Sequence, residues 1–373
     1  MKNVLVVGNA ESVWTREYVK HIHCFLGNKV LLTDFYGLKE KDQKFYADLG
    51  VGIVDVHGDN GIVRMLKCFR KMGRVSPGKG EKIDILDIQS PPHSIQAKIL
   101  EKAAKKYGGK TVVTFWGSDI LTINQADADR MKGLMDCSDY INIGTNHMQE
   151  KLQSFYGNQY DDKCVFIGFG SPAFESIKNV TMSAKECKEY FGLEGDLITV
   201  EIGYNGRREQ QHIPVIESLS ELDEETKGRL QLVIHLGYGG DASYGAEIEE
   251  ALKKSGIKYR VLTNSYDLDD IAILRRGTDI MLHAQLSDGL SGSIREAVYA
   301  GSVLVNPSWL EYTRFDEEGV EYIKYDGFEE LPGIIRGIVR DEISVDREKN
   351  KKLLYEGYSW EFVRNKWMDV FDE

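Results

Sequence analysis

The stretch that decides the fold begins Asp279-Ile280-Met281-Leu282-His283. It continues through Ser287-Asp288-Gly289-Leu290-Ser291-Gly292-Ser293-Ile294-Arg295-Glu296-Ala297 and closes on Ala300-Gly301-Ser302-Val303-Leu304-Val305. The apolar opening reads as a strand. Ser291 is a good N-cap, the helical pattern runs to Ala300, and Gly301 is a residue on which helices end. Val303-Leu304-Val305 then reads as a second strand, buried on both faces. Strand, helix and strand in this order make a parallel βαβ unit with a right-handed crossover. Asp288 falls in the loop ahead of the helix, and Glu296 about one and a half turns inside it. Unpaired N–H groups at the helix start suit an anion. The flanking carboxylates suit hydroxyl groups, so the segment can grip a phosphate–sugar unit.

The same rhythm extends outward in both directions. Short β-branched runs begin near Val4, Val30, Gly52, Ile83, Thr111, Tyr140 and Val165, and again near Leu197, Leu232, Tyr259, Asp279, Val303 and Glu321. Helical periodicity fills the intervals, as at Ile95, Ile99, Leu100 and Ala103. Alternating β and α predicts open parallel sheets. The rhythm breaks between Ser171 and Gly195, where a polar helix precedes a fresh series, so two Rossmann-like domains are expected, facing each other across a cleft. Small and polar residues cluster after the strands, where open α/β sheets bind ligands. Examples are Gly8-Asn9, Ser90-Pro91-Pro92, Trp116-Gly117-Ser118-Asp119, Gly203 to Gly206, Gly237 to Gly240 and Ser287-Asp288-Gly289.

Composition sets outer limits. At about 100–200 residues per domain, 373 residues suit two domains. Asp and Glu total 59 against 47 Lys and Arg, a net charge of −12 that argues against broad wrapping of nucleic acid. Five widely spaced cysteines without C-x-x-C argue against a disulfide framework or zinc ribbon and fit a reducing compartment. No stretch approaches a membrane span of about 20 apolar residues. The N-terminal Val4-Leu5-Val6-Val7-Gly8 reads as a strand rather than a signal segment. A cytoplasmic protein is expected.

The segment Asp288 to Ala297 resembles the E-x7-E motif of retaining GT-B glycosyltransferases of the family-4 type, with Asp288 in the first acidic place and Glu296 in the second. Ala300 to Val305 resembles that family's helix-end glycine and following strand. The resemblance implies a GT-B fold. Residues 1–172 would bind the acceptor, 173–355 would bind the nucleotide sugar, and 356–373 would form a Ser-Trp helix crossing back to the N-terminal domain. It also implies metal-independent, retaining transfer from a nucleotide-diphosphate sugar to an acceptor hydroxyl, with no cofactor. Asp288, Glu296 and Arg207 would be the catalytic residues. The donor would also contact Gly206, His212, Thr263, Gly289, Leu290, Ser291 and Gly292. His212 stands where the family carries Lys, five residues after the Arg, and it would serve as a cation if phosphate held its proton. Trp116 replaces the family's His in Thr114-Phe115-Trp116-Gly117-Ser118-Asp119 and would stack on a sugar. Gly8, Asn9, Ser12, Trp116 and Asp119 would line the acceptor side, with Asp119 also a candidate N-cap. The implied setting is surface polysaccharide or glycolipid synthesis.

Other features read differently. Gly8-Asn9-Ala10-Glu11-Ser12 lacks G-x-G-x-x-G, so Asp34 is not expected to hold a dinucleotide ribose. Asp127-Ala128-Asp129 spells D-x-D but sits in a polar run ahead of a helix, as a solvated face. The eight His show no metal-ligand spacing. Trp360, Phe362, Trp367 and Phe371 supply the apolar bulk of the C-terminal helix. Arg64, Lys67, Arg70, Lys71, Arg74, Lys79 and Lys82, opposed by Glu81 alone, form a basic patch suited to anionic lipid and hence to peripheral placement on a membrane. Two alternatives are a nucleotide-sugar epimerase of the same fold and a non-catalytic subunit that stabilises a partner transferase.

Overall fold

A computed structural model describes residues 1–35, 37–56 and 62–372, with the side chains of 62–65 and 372 not described. The chain forms two compact units, Met1–Gly170 with Trp360–Glu373, and Ser171–Ser359. The sequence placed these divisions at 172/173 and 355/356. The second one moves because the helix Arg347–Tyr358 belongs to the second unit, and the extended Ser359 separates it from the helix Trp360–Asp372.

In the first unit the strands are β1 (Asn3–Val7), β2 (Lys29–Thr33), β3 (Gly52–Ile53), β4 (Ile85–Gln89), β5 (Lys110–Thr114), β6 (Tyr140–Asn142) and β7 (Cys164–Val165). They pair in the order β3-β2-β1-β4-β5-β6-β7, all parallel. In the second unit they are β8 (Ile198–Ile202), β9 (Leu230–His235), β10 (Lys258–Leu262), β11 (Ile280–Leu282), β12 (Val303–Pro307) and β13 (Ile323–Tyr325). Their order is β10-β9-β8-β11-β12-β13, again all parallel. The α/β reading of the sequence is therefore correct in both halves. Each sheet reverses its order once, between β1 and β4 and between β8 and β11. Such a switch point is where the loops after two adjacent strands part and leave room for a ligand.

The central strands are buried on both faces, although β4 and β8 carry Asp87, Gln89, Thr199 and Glu201 among their apolar residues. In the second unit, Val200, Ile202, Leu232, Ile234, Ile280, Leu282, Val303 and Val305 form one side of the sheet core. Met281 and Leu304 point the other way, into a cluster with Ile294, Ala297 and Val298 of the helix Gly292–Ala300. That helix ends on Gly301, whose φ of +106° is readily reached only by glycine.

The C-terminal helix Trp360–Asp372 completes the first unit. Trp360, Val363, Trp367, Val370 and Phe371 pack with Val4, Val6, Tyr18, Val19 and Ile22. Phe362, expected among the apolar bulk, points outward instead, and Val363 and Val370 take the buried stripe. Lys110 donates to the carbonyl of Val370 at 2.7 Å, placing a cation at the helix C-terminus. Trp367 is fully buried and meets Tyr18 edge-on at 5.1 Å. Trp367→Ala is expected to cost about 3–5 kcal/mol, read as a lower urea midpoint for the first unit. An unchanged midpoint would show that the helix does not complete that core.

Candidate functional site

The switch point of the second sheet brings two loops together. One follows β8 and contains Gly203-Tyr204-Asn205-Gly206-Arg207. The other follows β11 and contains Asp288 to Ser291. The Gly203 N–H donates to the Leu282 carbonyl at 3.0 Å, tying the loops at their base. Gly203 has φ +65°, and a side chain there would strike the Gln210 and His212 side chains at 2.8 and 3.0 Å. The loop after β9 joins from the other side, through the Gly206 N–H to the Tyr238 carbonyl at 2.9 Å. A Cβ on Gly206 would lie 2.9 Å from the Gly240 Cα, so these two backbones touch only because both residues are glycine.

Asp288 is held from several directions. The Tyr312 hydroxyl donates to Oδ2 at 2.6 Å, the Tyr204 hydroxyl to Oδ1 at 3.3 Å, and the Ser291 N–H to Oδ2 at 3.1 Å. Burial, and then the Asp288 charge, push the Tyr204 phenol up to about 12 and raise Tyr312 further. Both hydroxyls therefore stay protonated and donate. Ser291 takes the N-cap place as expected, but its hydroxyl makes no capping bond. The carboxylate of Asp288 instead accepts the N–H of the N-cap residue itself. Leu290, between them, sits at φ +65°, a strained value for a side-chain-bearing residue, so the loop is firmly determined.

Glu296 lies deeper. Burial raises its carboxyl above the usual range, although Arg275 and Arg295 act the other way. Arg275 Nε stands 3.8 Å from Glu296 Oε2, and the same guanidinium donates to Glu201 on β8. Arg275 is itself buried. Desolvation disfavours its charge, but Glu201 and Glu296 outweigh this and raise its pKa. Sequence reading missed Arg275, Glu201, Tyr204 and Tyr312 as supports. Their signal was polar residues inside apolar segments, such as Glu201 in Val200-Glu201-Ile202.

Arg207 is exposed and makes no ion pair or side-chain hydrogen bond among the described residues. Its neighbour Arg208 is already engaged, by Glu247 at 3.0 Å and by the Tyr244 ring at 4.4 Å. Gly206, Arg207, Arg208, Glu209, Gly239 and Asp241 line an open recess. Thr263 is exposed just beyond β10, and Gly289, Leu290 and Gly292 follow Asp288 as expected. His212 departs from its expected role. It is fully buried, its Nδ1 lies 3.3 Å from the Tyr244 hydroxyl, and desolvation lowers its pKa to about 4. It is a neutral packing residue, not a stand-in for Lys.

In the first unit, Gly8 follows β1 at the switch point, where a Cβ would lie 3.0 Å from that of Gln89 on β4. Asn9 Oδ1 accepts from the Glu11 N–H at 3.0 Å, and Ser12 caps the helix Val13–Tyr18. Asp34 accepts from the Ala10 N–H at 3.0 Å, so its carboxylate braces the loop. Trp116 is half-buried and donates from Nε1 to Gln89 at 3.2 Å. Gln89 donates on to Asp87 at 2.7 Å, and Asp87 also bonds Tyr18 at 2.7 Å and His23 at 2.6 Å, a buried network that sequence reading did not find. Asp119 does not act as the expected N-cap, since Gly117 holds that place. Its carboxylate accepts the N–H groups of Trp116 at 3.0 Å and Gly117 at 2.8 Å. Burial raises its pKa.

Asp127 and Asp129 lie inside the helix Gln125–Cys137, not ahead of it. Asp127 pairs with Arg130, and Asp129 accepts from Gln125 at 2.9 Å. No group of three or more His, Cys, Asp or Glu among the described residues is placed to hold a metal ion. In the basic patch, Lys67, Arg70, Arg74, Lys79 and Lys82 are exposed, as is Leu66. Glu81 is not its sole opponent, because Asp55 lies 3.3 Å from Lys71. The Arg64 side chain lies outside the described residues.

The chain matches no family model and no curated protein sequence. It does match solved structures over its whole length. A glycosyltransferase from Rickettsia africae superimposes with TM-score 0.76 at 14% identity, covering 100% of this chain and 98% of that one. Anabaena HepE in complex with UDP and glucose gives 0.67 at 13%, covering 100% of each. A UDP-GlcNAc 2-epimerase from Neisseria meningitidis bound to UDP-GlcNAc gives 0.64 at 13%, covering 100% and 99%. At these identities what is shared is the fold, the two-unit GT-B architecture.

His212 offers a pH test. Its folded pKa of about 4 lies below the ordinary histidine value of 6.5, so its contribution is present above pH 6.5 and is lost as pH falls toward 4. The loss should reach about 3 kcal/mol. His212→Gln should flatten the stability profile in that window relative to wild type, measured by urea unfolding at fixed pH steps. Parallel profiles would show that the ring is solvated.

Proposed function

We propose that the protein is a glycosyltransferase that moves a sugar from a nucleoside diphosphate donor to an acceptor hydroxyl, with retention and without a metal. One observation carries this reading. At the switch point of the second sheet, an exposed arginine on the β8 loop, without an ion pair among the described residues, accompanies a helix N-terminus flanked by Asp288 and Glu296 on the β11 side. The similarity to HepE, solved with UDP and glucose, supports a sugar nucleotide as the ligand.

Bond breaking gives the sugar oxocarbenium character and leaves charge on the diphosphate. Arg207 and the free N–H groups of the helix Gly292–Ala300 oppose that charge. Groups already oriented before reaction stabilise it without reorganisation, and each can contribute about 10²–10³ in rate. Asp288, fixed by Tyr204 and Tyr312, sets the loop whose Gly289 and Leu290 amides face the donor. Glu296 accepts from a donor hydroxyl. The departing phosphate takes the acceptor proton, and no residue is assigned as nucleophile. On the first unit, Trp116 offers an aromatic face for the acceptor sugar.

The epimerase similarity favours a second reading, in which the nucleotide sugar is itself the substrate. Product analysis without acceptor separates the two. We also propose that the exposed basic residues from Lys67 to Lys82, with Leu66, dock on anionic lipid; no helix among the described residues is long and apolar enough to cross a membrane. Flotation with anionic but not neutral liposomes is expected, and charge-independent flotation would remove this part.

Calorimetry with UDP, GDP, TDP and ADP should find at least one binder, with Arg207→Ala weakening it at least tenfold. In transfer assays with that nucleotide's sugars, Glu296→Ala should lower turnover about 10²–10³-fold in a folded protein, and EDTA should leave activity intact. Wild-type rates in both variants would sink the assignment. Manganese-dependent recovery after EDTA would replace it with a metal mechanism.

A further inference from the structure

One cation beside this site has no role in the proposed transfer. Arg295 lies between Ile294 and Glu296 in the helix Gly292–Ala300 and is half-buried. Its Nε is sealed from solvent without a hydrogen-bond partner. The guanidinium forms no ion pair among the described residues. Its carbon lies 4.9 Å from the centre of the Tyr358 ring, and that of Arg314 lies 4.3 Å from the same ring. Arg314 is balanced by Glu318, with Nε 2.8 Å from Oε1. Two guanidinium groups thus share one aromatic ring, and of the two only Arg314 is paired with a carboxylate among the described residues. Burial and the nearby Arg314 disfavour the charge on Arg295, while Tyr358, Glu296 and Asp288 favour it.

A cation stacked on an aromatic ring gains some stabilisation, but the stacking leaves its N–H edge unused. The sealed Nε is a costly unpaired donor, and the rest of the guanidinium has no hydrogen bond to any described residue. Its planar fork matches the two oxygens of a carboxylate or phosphate. Arg207 already provides for the diphosphate from a different loop, so Arg295 has a separate task.

We propose that Arg295 and Arg314, stacked on Tyr358, hold an anionic substituent, a carboxylate or a phosphate, on the saccharide that the site takes. The assignment rests on the sugar-transfer reading for the identity of the carrier, but not for the existence of the anion site. A carboxylate would come from an acidic sugar, and a phosphate from a phosphorylated acceptor. The site would then select charged over neutral saccharides.

The test uses the full chain with two simple probes, inorganic phosphate and free glucuronate, and glucose as the neutral control. Binding is read by NMR titration and thermal shift on wild type, Arg295→Gln, Arg314→Gln and Arg207→Gln. Arg295→Gln is expected to weaken one of the two anions about tenfold or more, while Arg207→Gln keeps that anion's Arg295-dependent component. Preference for glucuronate identifies an acidic sugar, and preference for phosphate identifies a phosphorylated acceptor. If Arg295→Gln does not fold, Arg314→Gln is expected to show the same loss. Equal anion binding in wild type and both variants, or no anion binding at all, overturns the proposal. The four nucleoside diphosphates are titrated in parallel. A protein that binds none of them, yet loses anion binding with Arg295, keeps the anion site and loses the sugar-transfer reading.

Discussion

Parallel pairing of β8 with β11 is the constraint on which the second unit is built. Both strands must leave the sheet at the same edge, and their crossovers run to opposite sides. Their loops therefore begin side by side, joined by the Gly203 N–H to Leu282 hydrogen bond, and then diverge. The gathering of polar groups at this place follows from that geometry. It sets an arginine on one loop and a helix N-terminus on the other at the same end of the sheet, although they lie far apart along the chain. A β-hairpin arrangement, with its turn returning along the same edge, would have left no such gap.

The charges around this gap are set by burial as much as by proximity. A carboxylate removed from water is stable only with partners, and an ion pair in the interior is strongly weakened by loss of either member. Glu201 and Glu296 share Arg275, and Thr278 bonds Glu201 at 3.2 Å. This links β8, the helix Leu268–Gly277 and the helix Gly292–Ala300 in one network. Asp288 is treated differently, since its partners are neutral hydroxyls and a backbone N–H. Those bonds fix its orientation without cancelling its charge. One acid is thus embedded among arginines and the other is presented, which fits separate duties for the two.

The first unit shows the same economy with a polar core. Asp87, on the central strand β4, is fully buried and has His23, Tyr18 and Gln89 around it. The network reaches the strand-end loop through Gln89 and Trp116, and its other side lies against the C-terminal helix, where Phe371 meets the His23 ring at 4.9 Å. Aromatic packing by Trp360, Trp367 and Phe371 keeps water from these groups, and low local polarity strengthens the hydrogen bonds that remain.

What the sequence determined by itself was the alternation of strand and helix, because period and length are local properties. Short apolar runs between helical patterns admit few arrangements other than parallel sheets. The strand starts, the break after Ser171, the helix behind Ser291 and its end at Gly301 were all legible for that reason. Tertiary structure alone decided which polar groups are charged, paired or silent. His212 and Arg207 stand five residues apart, yet His212, opening the helix His212–Leu219, is buried beside Tyr244 and neutral, while Arg207 is exposed and forms no ion pair among the described residues. Tyr312 reaches Asp288 across 24 residues, and Arg275 reaches Glu201 across 74. Desolvation depends on everything packed around a group, and no local pattern of residues records that.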